Sequence, residues 1–307
     1  MKSLRIHEFG NPSLAMLEDV PLAEPGQGQV ALRIAAASVN PLDLKMLAGY
    51  MQQVFPVSLP YALGTDLAGV VQQVGPGARR FKPGDRVVGR LEPTAGGAFA
   101  QAAVVSEAAL SLMPADMSFE QAAALPTAAG TAWLALFGAG SLQAGQRVLI
   151  HAAAGGVGSF AVQFARQAGA HVIATASARN VGLAKELGAH EVIDYQRQDF
   201  AALLRGVDLV IDTVGGDTLE RSWQVLAAEG SVVSTVDFAV KARGAQQGSF
   251  VFFKHDAETL DKILDAFKAK HLQIVLDTIH PLDDARAALE QVAGGHARGK
   301  VILRASH

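Results

Sequence analysis

From residue 148 to residue 235 the chain alternates short apolar runs with segments of mixed polarity. Val148-Leu149-Ile150 leads into a turn of small residues, Ala152-Ala153-Ala154-Gly155-Gly156-Val157-Gly158. An apolar segment whose main polar group is Gln163 follows, so the pattern predicts strand, tight turn and helix. Further strands are predicted over residues 170–175, 191–194, 207–213 and 230–235, with a helix over 180–187. The fourth strand runs into Val214-Gly215-Gly216. Strands alternating with helices imply an α/β doubly wound parallel sheet with right-handed crossovers.

Residues 1–118 lack that alternation. Their apolar runs, 29–35, 69–74, 86–88 and 99–105, are short and separated by Pro25-Gly26, Gly75-Pro76-Gly77 and Lys82-Pro83-Gly84-Asp85. Such turn chemistry predicts a compact β-rich domain. Residues 260–270 form an amphipathic helix with Leu260, Ile263, Leu264 and Phe267 on one face. A strand over 274–279, a helix over 282–292 and a strand over 300–303 follow, and this tail is expected to return to the first domain. Residues 121–146 carry no charge over a length that spans a bilayer, but Pro126, Gly130, Gly138 and Gly140 fit a buried helix beside a buried sheet better. Residues 90–98 are too glycine-rich to place, and no internal repeat is visible.

At 307 residues the chain has room for about two domains. Its net charge of −3 gives no basic surface for nucleic acid as a main partner. The absence of Cys removes disulfides, a thiol nucleophile and every cysteine-ligated zinc site. The opening MKSLRIHEFG has no apolar core of a signal peptide, so a cytoplasmic protein without a membrane span is expected. His7, His151, His171, His190, His255, His271, His280, His296 and His307 are scattered without helical metal-ligand spacing. His151 precedes the small-residue turn, where a packed strand-end histidine is the expectation.

The turn carries the chemistry. Its spacing, Ala152-x-x-Gly155-x-x-Gly158, lets backbone approach a pyrophosphate, and the following helix offers free N–H groups and the positive end of its dipole. Gly155, Gly156 and Val157 are the candidate phosphate donors. A glycine-rich turn in any α/β protein is the plainer alternative. An NAD site places an acid about 20 residues after the glycines. Here 177 − 158 = 19, and Ala176-Ser177-Ala178-Arg179-Asn180 holds no carboxylate. Ser177 and Arg179 suit a 2′-phosphate, so NADPH is the expected cofactor. Alternatively, Ser177 caps a helix and Arg179 is a solvated charge.

The stretches AASVNPLD (36–43), GTDLAGVV (64–71), FKPGDRVV (81–88), ALPTAAGTAW (124–133), LGAHEVIDY (187–195), DTVGG (212–216) and GKVIL (299–303), with the turn itself, resemble one family along nearly the whole chain. It is the zinc-independent branch of the medium-chain dehydrogenase/reductase superfamily, the NADPH-dependent quinone oxidoreductases and alkenal (enone) reductases. The resemblance implies a GroES-like β-barrel from residues 1–118 and 272–307, a Rossmann NADP-binding domain over 119–271, and an active site in the cleft between them. Zinc-dependent members carry Cys, then His with Glu, near the positions of Asn40 and Asp66, so no metal is expected.

The resemblance also implies site residues. Asn40 is expected near the nicotinamide ribose, Thr127 and Thr131 near the nicotinamide or pyrophosphate, and Tyr195 near the 2′-phosphate. Val214 is expected against the cofactor ribose, Phe238 around the nicotinamide, and Lys300 near the cleft. Hydride delivery to an enone leaves an enolate that a proton donor would serve, whereas a reduced quinone takes protons from water. Lys45 and Tyr50 are the candidate catalytic donors; each is as readily an ordinary surface group. Met51 and Phe55 are pocket wall or core. The expected function is hydride transfer from NADPH to small-molecule quinones or α,β-unsaturated carbonyls, by a homodimer. The alternatives are an enoyl-thioester reductase, for which Arg79, Arg80 and Lys82 are the only dense basic group, and a non-catalytic NADPH-binding sensor or structural protein.

Overall fold

In the computed structural model, which describes residues 1–254 and 256–305, the chain runs through sixteen strands and nine α-helices among the described residues. They are β1 Lys2–Ile6, β2 Met16–Asp19, β3 Gln29–Val39, α1 Pro41–Leu47, β4 Tyr61–Ala62, β5 Asp66–Val74, β6 Arg86–Arg90, β7 Ala102–Ser106 and β8 Leu110–Leu112. Then come α2 Phe119–Ala123, α3 Pro126–Trp133, β9 Arg147–Ile150, α4 Gly156–Gln167, β10 His171–Ala176, α5 Val181–Glu186 and β11 Glu191–Asp194. The remainder are α6 Phe200–Leu203, β12 Val207–Asp212, α7 Gly216–Ser222, β13 Leu226–Ser234, β14 Gln247–Phe250, α8 Ala257–Lys268, β15 Leu276–Pro281, α9 Ala285–Ala293 and β16 Lys300–Arg304. His255 and His307 lie outside the described residues.

Two compact units form, Met1–Thr127 with Lys254–His307, and Ala128–Phe253. The borders drawn from sequence at 118 and 272 differ from these: α2, the start of α3 and the whole of α8 group with the first unit. Helix α8 carries Leu260, Ile263 and Leu264 on its buried face, ends at Lys268, and contacts β8.

The first unit holds a seven-stranded sheet, β15-β16-β3-β5-β6-β8 with β7 also on β3, and a three-stranded sheet, β2-β1-β4. Long antiparallel ladders join β3 to β5, β7 and β16. Alternate residues of these strands meet α1, α9 and Phe99 in one core. β1, β2 and β4 were not predicted, because their apolar runs are too short to carry a period. The glycine-rich stretch at 91–98 is held by structure rather than by its own pattern: Tyr61 donates to the Pro93 carbonyl at 2.6 Å, and a Cβ at Gly96 would lie 2.0 Å from the Ala62 carbonyl oxygen.

The second unit is a six-stranded sheet in the order β11-β10-β9-β12-β13-β14, with every neighbour parallel. β9 is central, and the order reverses between β9 and β12, where such sheets receive their ligands beyond the carboxyl ends of the strands. The five strands predicted from sequence are there, with β13 starting four residues early at Leu226. Val232 and Val233 are fully buried inside β13. The edge strand is β14, which ends at Phe250 and pairs in parallel with β13. The uncharged stretch at 121–146 is α2, α3 and a π-helical turn over Leu134–Ala139, and no helix among the described residues is long and apolar enough to cross a membrane.

Candidate functional site

In the second unit, β9 delivers the chain into the turn that precedes α4. Ala152 stands at φ +49, a left-handed conformation that alanine adopts only at a cost. Gly155 is the N-cap of α4, and its amide is taken by the Ala152 carbonyl at 2.9 Å. No side chain caps the helix, so the N–H groups of its first turn, beginning with Gly156 and Val157, face outward without a side-chain acceptor. At Gly158 an added Cβ would lie 2.3 Å from the Ala152 carbonyl oxygen. That approach is what packs the helix start against the strand, and only glycine permits it. The cradle fits a dinucleotide pyrophosphate.

The residues expected to receive a 2′-phosphate follow the end of β10. Ser177 is half-buried, and its oxygen accepts a bond from Asn180 Nδ2 at 3.2 Å, which leaves its own proton available for donation. Arg179 is exposed on the short turn Ala178–Asn180. Tyr195 is 54% exposed and its amide donates to the Ala176 carbonyl at 3.2 Å, which brings the end of β11 beside the end of β10. Val214 and Phe238 are also exposed. The amides of Val214 and Gly215 both donate to the buried Asp212 carboxylate, which fixes the loop after β12. Phe238 packs on Phe250 with ring centroids 4.4 Å apart. Thr131 is buried within α3.

The first unit gathers Asn40, Thr127 and Lys300 around two carboxylates that sequence reading did not assign. Asn40-Pro41-Leu42-Asp43 starts α1: Asn40 is the N-cap, Pro41 fits the first helical position, and Asp43 accepts the Asn40 amide at 2.8 Å. That spacing was the available signal for Asp43. The Asn40 side chain is fully engaged. Its Nδ2 donates to Asp66 Oδ2 at 3.0 Å and to the Ser38 carbonyl at 3.3 Å, and its Oδ1 accepts from Lys300 Nζ, which also donates to the Val39 carbonyl at 3.1 Å. Asp66 takes both the amide and the hydroxyl of Thr127, at 3.1 and 2.7 Å. Arg90 Nε in turn donates to Thr127 Oγ1 at 3.0 Å.

Asp43, Asp66, Arg90 and Lys300 are all buried. Burial pushes the Asp43 carboxyl up to about 7, with the neighbouring Asp66 charge adding to the shift and Lys300 and Arg90 opposing it. Burial likewise lowers Lys300, against the pull of Asp66 and Asp43. Burial, then the Asp43 charge, raises the Tyr61 phenol. This donor set does not suit zinc: Asn40 and Asp66 bond to each other, an ammonium occupies the Asn40 oxygen, and no thiolate exists in the chain.

The candidate donors lie beside this cluster in sequence. Lys45 is half-buried in the last turn of α1, and its carbonyl accepts the amide of Tyr50, a residue 81% exposed. Met51 is core, and Phe55 packs against it. Arg79 and Arg80 give their amides to Glu107, Arg80 also donates to the Glu107 carbonyl, and its guanidinium lies 5.2 Å from the Phe81 ring centroid, so this basic turn is braced on Glu107 and Phe81.

Known proteins match this architecture over its full length. The family model described as alcohol dehydrogenase GroES-like domain matches residues 26–115, and the one described as zinc-binding dehydrogenase matches 187–303. The chain is 34% identical to the chloroplast envelope quinone oxidoreductase homolog of Arabidopsis thaliana, over 99% of this chain and 98% of that protein. It is also 34% identical to a 2-haloacrylate reductase of Burkholderia sp, over 97% of each. The solved structure of Escherichia coli quinone oxidoreductase complexed with NADPH superposes with a TM-score of 0.90 at 27% identity, covering 99% of this chain and 100% of that one. A metal-incompatible cluster in one unit, an uncapped phosphate turn in the other and these full-length matches lead to one assignment: the chain belongs to the zinc-independent quinone oxidoreductase family of the medium-chain dehydrogenases/reductases, NAD(P)H-dependent oxidoreductases.

Proposed function

We propose that this chain is an NADPH-dependent reductase of quinones or α,β-unsaturated carbonyls. The observation that carries the reading is the uncapped start of α4 at the carboxyl end of the central strand β9. Gly156 and Val157 hold the pyrophosphate by their backbone amides, while Gly155, whose amide goes to the Ala152 carbonyl instead of to a phosphate as expected, shapes the turn. Ser177, Arg179 and Tyr195 receive the 2′-phosphate on a strand end without an acid. Val214 is assigned to the cofactor ribose, Phe238 to the surroundings of the nicotinamide, and Thr131 to the nicotinamide or pyrophosphate. In the other unit Asn40, fixed by Lys300 and Asp66, is assigned to the nicotinamide ribose, and Thr127 anchors the start of α3. The nicotinamide supplies the hydride when bound.

The protein's own tasks are to orient the acceptor and to supply a proton where the acceptor needs one. Lys45 and Tyr50 are the donors available on α1 and just after it. A relative that reduces 2-haloacrylate supports activated alkenes as substrates alongside quinones. The reading includes a homodimer, for which β14 presents a sheet edge, and a cytoplasmic location; sedimentation and cell fractionation check those two points. The test of function is oxidation of NADPH against NADH with 1,4-benzoquinone, 9,10-phenanthrenequinone, a medium-length enone and 2-chloroacrylate. NADPH-selective turnover of at least one acceptor is expected, and no turnover with any of them overturns the assignment.

A further inference from the structure

His151 was expected to be a packed strand-end residue. The structure shows it 1% exposed at the carboxyl end of β9, with both ring nitrogens engaged. Nδ1 lies 3.1 Å from Thr175 Oγ1, and Nε2 lies 3.0 Å from Ser222 Oγ. The partners fix the direction of each bond. The Ser222 hydroxyl donates to the Thr218 carbonyl at 2.7 Å, so Ser222 Oγ accepts from His151 Nε2–H. Nδ1 is therefore the acceptor, and the Thr175 hydroxyl donates to it. Thr175 Oγ1 in turn accepts the amide of Ala152 at 3.3 Å, while the Thr175 carbonyl accepts the amide of Ala153 at 3.0 Å.

One directional chain of hydrogen bonds thus runs from the Ala152 amide through Thr175, His151 and Ser222 to the Thr218 carbonyl inside α7. The Thr213 hydroxyl adds a bond to the His151 carbonyl at 3.0 Å, which ties the end of β12 to the same residue. Phe200 meets the imidazole edge-on at 4.8 Å between centroids and holds the plane of the ring. Burial keeps the imidazole neutral by lowering it to about 4, against the pull of Asp212, and the neutral ring is the form this chain of bonds requires.

The ends of that chain are the two segments that receive the cofactor, if the reading above holds. At one end stands Ala152, left-handed and strained, whose carbonyl sets Gly155 and Gly158. At the other is α7, which starts at Gly216 immediately after Val214-Gly215. We propose that His151 is a positioning residue that locks the phosphate turn at 152–158 to the 213–222 segment and so preorganises both for the dinucleotide. It touches no reacting atom. A turn already held in its bound conformation loses less freedom on binding, so the effect falls on cofactor affinity rather than on the chemical step.

The test is NADPH affinity in variants that keep volume and cut the chain at points outside the cofactor cradle. Thr175→Val removes the hydroxyl under Ala152, and Ser222→Ala removes the acceptor at the far end. Each is expected to weaken NADPH binding by about tenfold, the scale of one lost buried hydrogen bond. KM for NADPH should rise with it, while kcat at saturating NADPH and KM for quinone stay within about twofold, a split typical of lost ground-state binding. The double variant should lose less than the product of the single losses, because both cut one chain. His151→Gln, which keeps a donor near the Nε2 position, should recover much of what His151→Phe loses. Folded Thr175→Val and Ser222→Ala proteins that bind NADPH as the wild type does overturn the proposal alone. A wild type that binds no NADPH overturns the dinucleotide reading, and the proposal with it.

Discussion

Lys300 holds Asn40 by its side-chain oxygen across 260 residues of sequence, and both are buried. β16 pairs with β3 through Val301 opposite Val39, so the tail strand places the ammonium beside the loop that starts α1. Lys300→Met is expected to destabilise the protein by about 3–5 kcal/mol, the cost of removing one member of a buried charged group and stranding its partners. The same change frees Asn40 to turn, so kcat/KM should fall by at least about tenfold. Thermal unfolding and steady-state kinetics check both. An unchanged melting temperature would show that the ammonium contributes nothing to the fold.

Asp43 gives the cluster a pH dependence. Its carboxyl titrates near 3.8 when unfolded and near 7 in the fold, so between those values the native state binds more protons. The stability it contributes is full below about pH 4 and is lost as pH rises through about 7. His151 acts in the opposite sense: lowered to about 4 from 6.5, it removes stability as pH falls through that window. Asp43→Asn separates the two, because Asn retains an acceptor for the Asn40 amide and does not titrate. The melting temperature of Asp43→Asn relative to wild type should be higher at pH 8 than at pH 5, across a span of a few kcal/mol. Parallel pH profiles would contradict the assignment.

Ala152 stands where the phosphate turn requires a left-handed residue. Ala152→Gly removes a strain of about 1 kcal/mol, part of which returns as the greater freedom of the unfolded chain. A melting temperature raised by about 2 °C is expected, with NADPH affinity unchanged or tighter. A lower melting temperature would mean that the methyl group packs better than the backbone strains.

The proposed choice of NADPH is assigned to Arg179 and Ser177. Arg179→Glu sets a carboxylate where the 2′-phosphate is assigned and should weaken NADPH by about a hundredfold while leaving NADH within a few-fold. Isothermal titration with both cofactors decides it. Equal losses for the two would assign Arg179 to some other part of the dinucleotide.

Sequence read the second unit more fully than the first. The central parallel strands β9, β10 and β12 are buried along nearly their whole length and show as apolar runs, and Gly155 and Gly158 mark the turn where backbone geometry demands them. β1, β2 and β4 fell below that signal, since they are short and stabilised by pairing with one another. The buried cluster was half visible. Asn40, Thr127 and Lys300 were named through family likeness, but Asp66 and Arg90 meet through strand pairing, Asp66 opposite Ser38 and opposite Arg90, and Asp43 joins them from the first turn of α1. His151 stood next to the turn in sequence, yet its bonds to Thr175 and Ser222 span 24 and 71 residues.

The acceptor side separates Lys45 from Tyr50. Reducing an enone requires a proton at the carbon or oxygen of an enolate, whereas a hydroquinone anion is protonated by water. Loss of the true donor should therefore slow an enone and spare a quinone. Tyr50 is 81% exposed just beyond α1, and Lys45 lies on the last turn of that helix; the proposed roles are proton donor for the first and fixed charge for the second. Tyr50→Phe is expected to lower kcat for an enone by about tenfold to a hundredfold and to leave 1,4-benzoquinone within about twofold. Lys45→Met is expected to raise KM for both acceptors with a smaller change in kcat. If Lys45→Met shows the selective enone loss instead, the lysine is the donor and Tyr50 is part of the wall. If neither does, the enolate takes its proton from water, and α1 contributes shape alone.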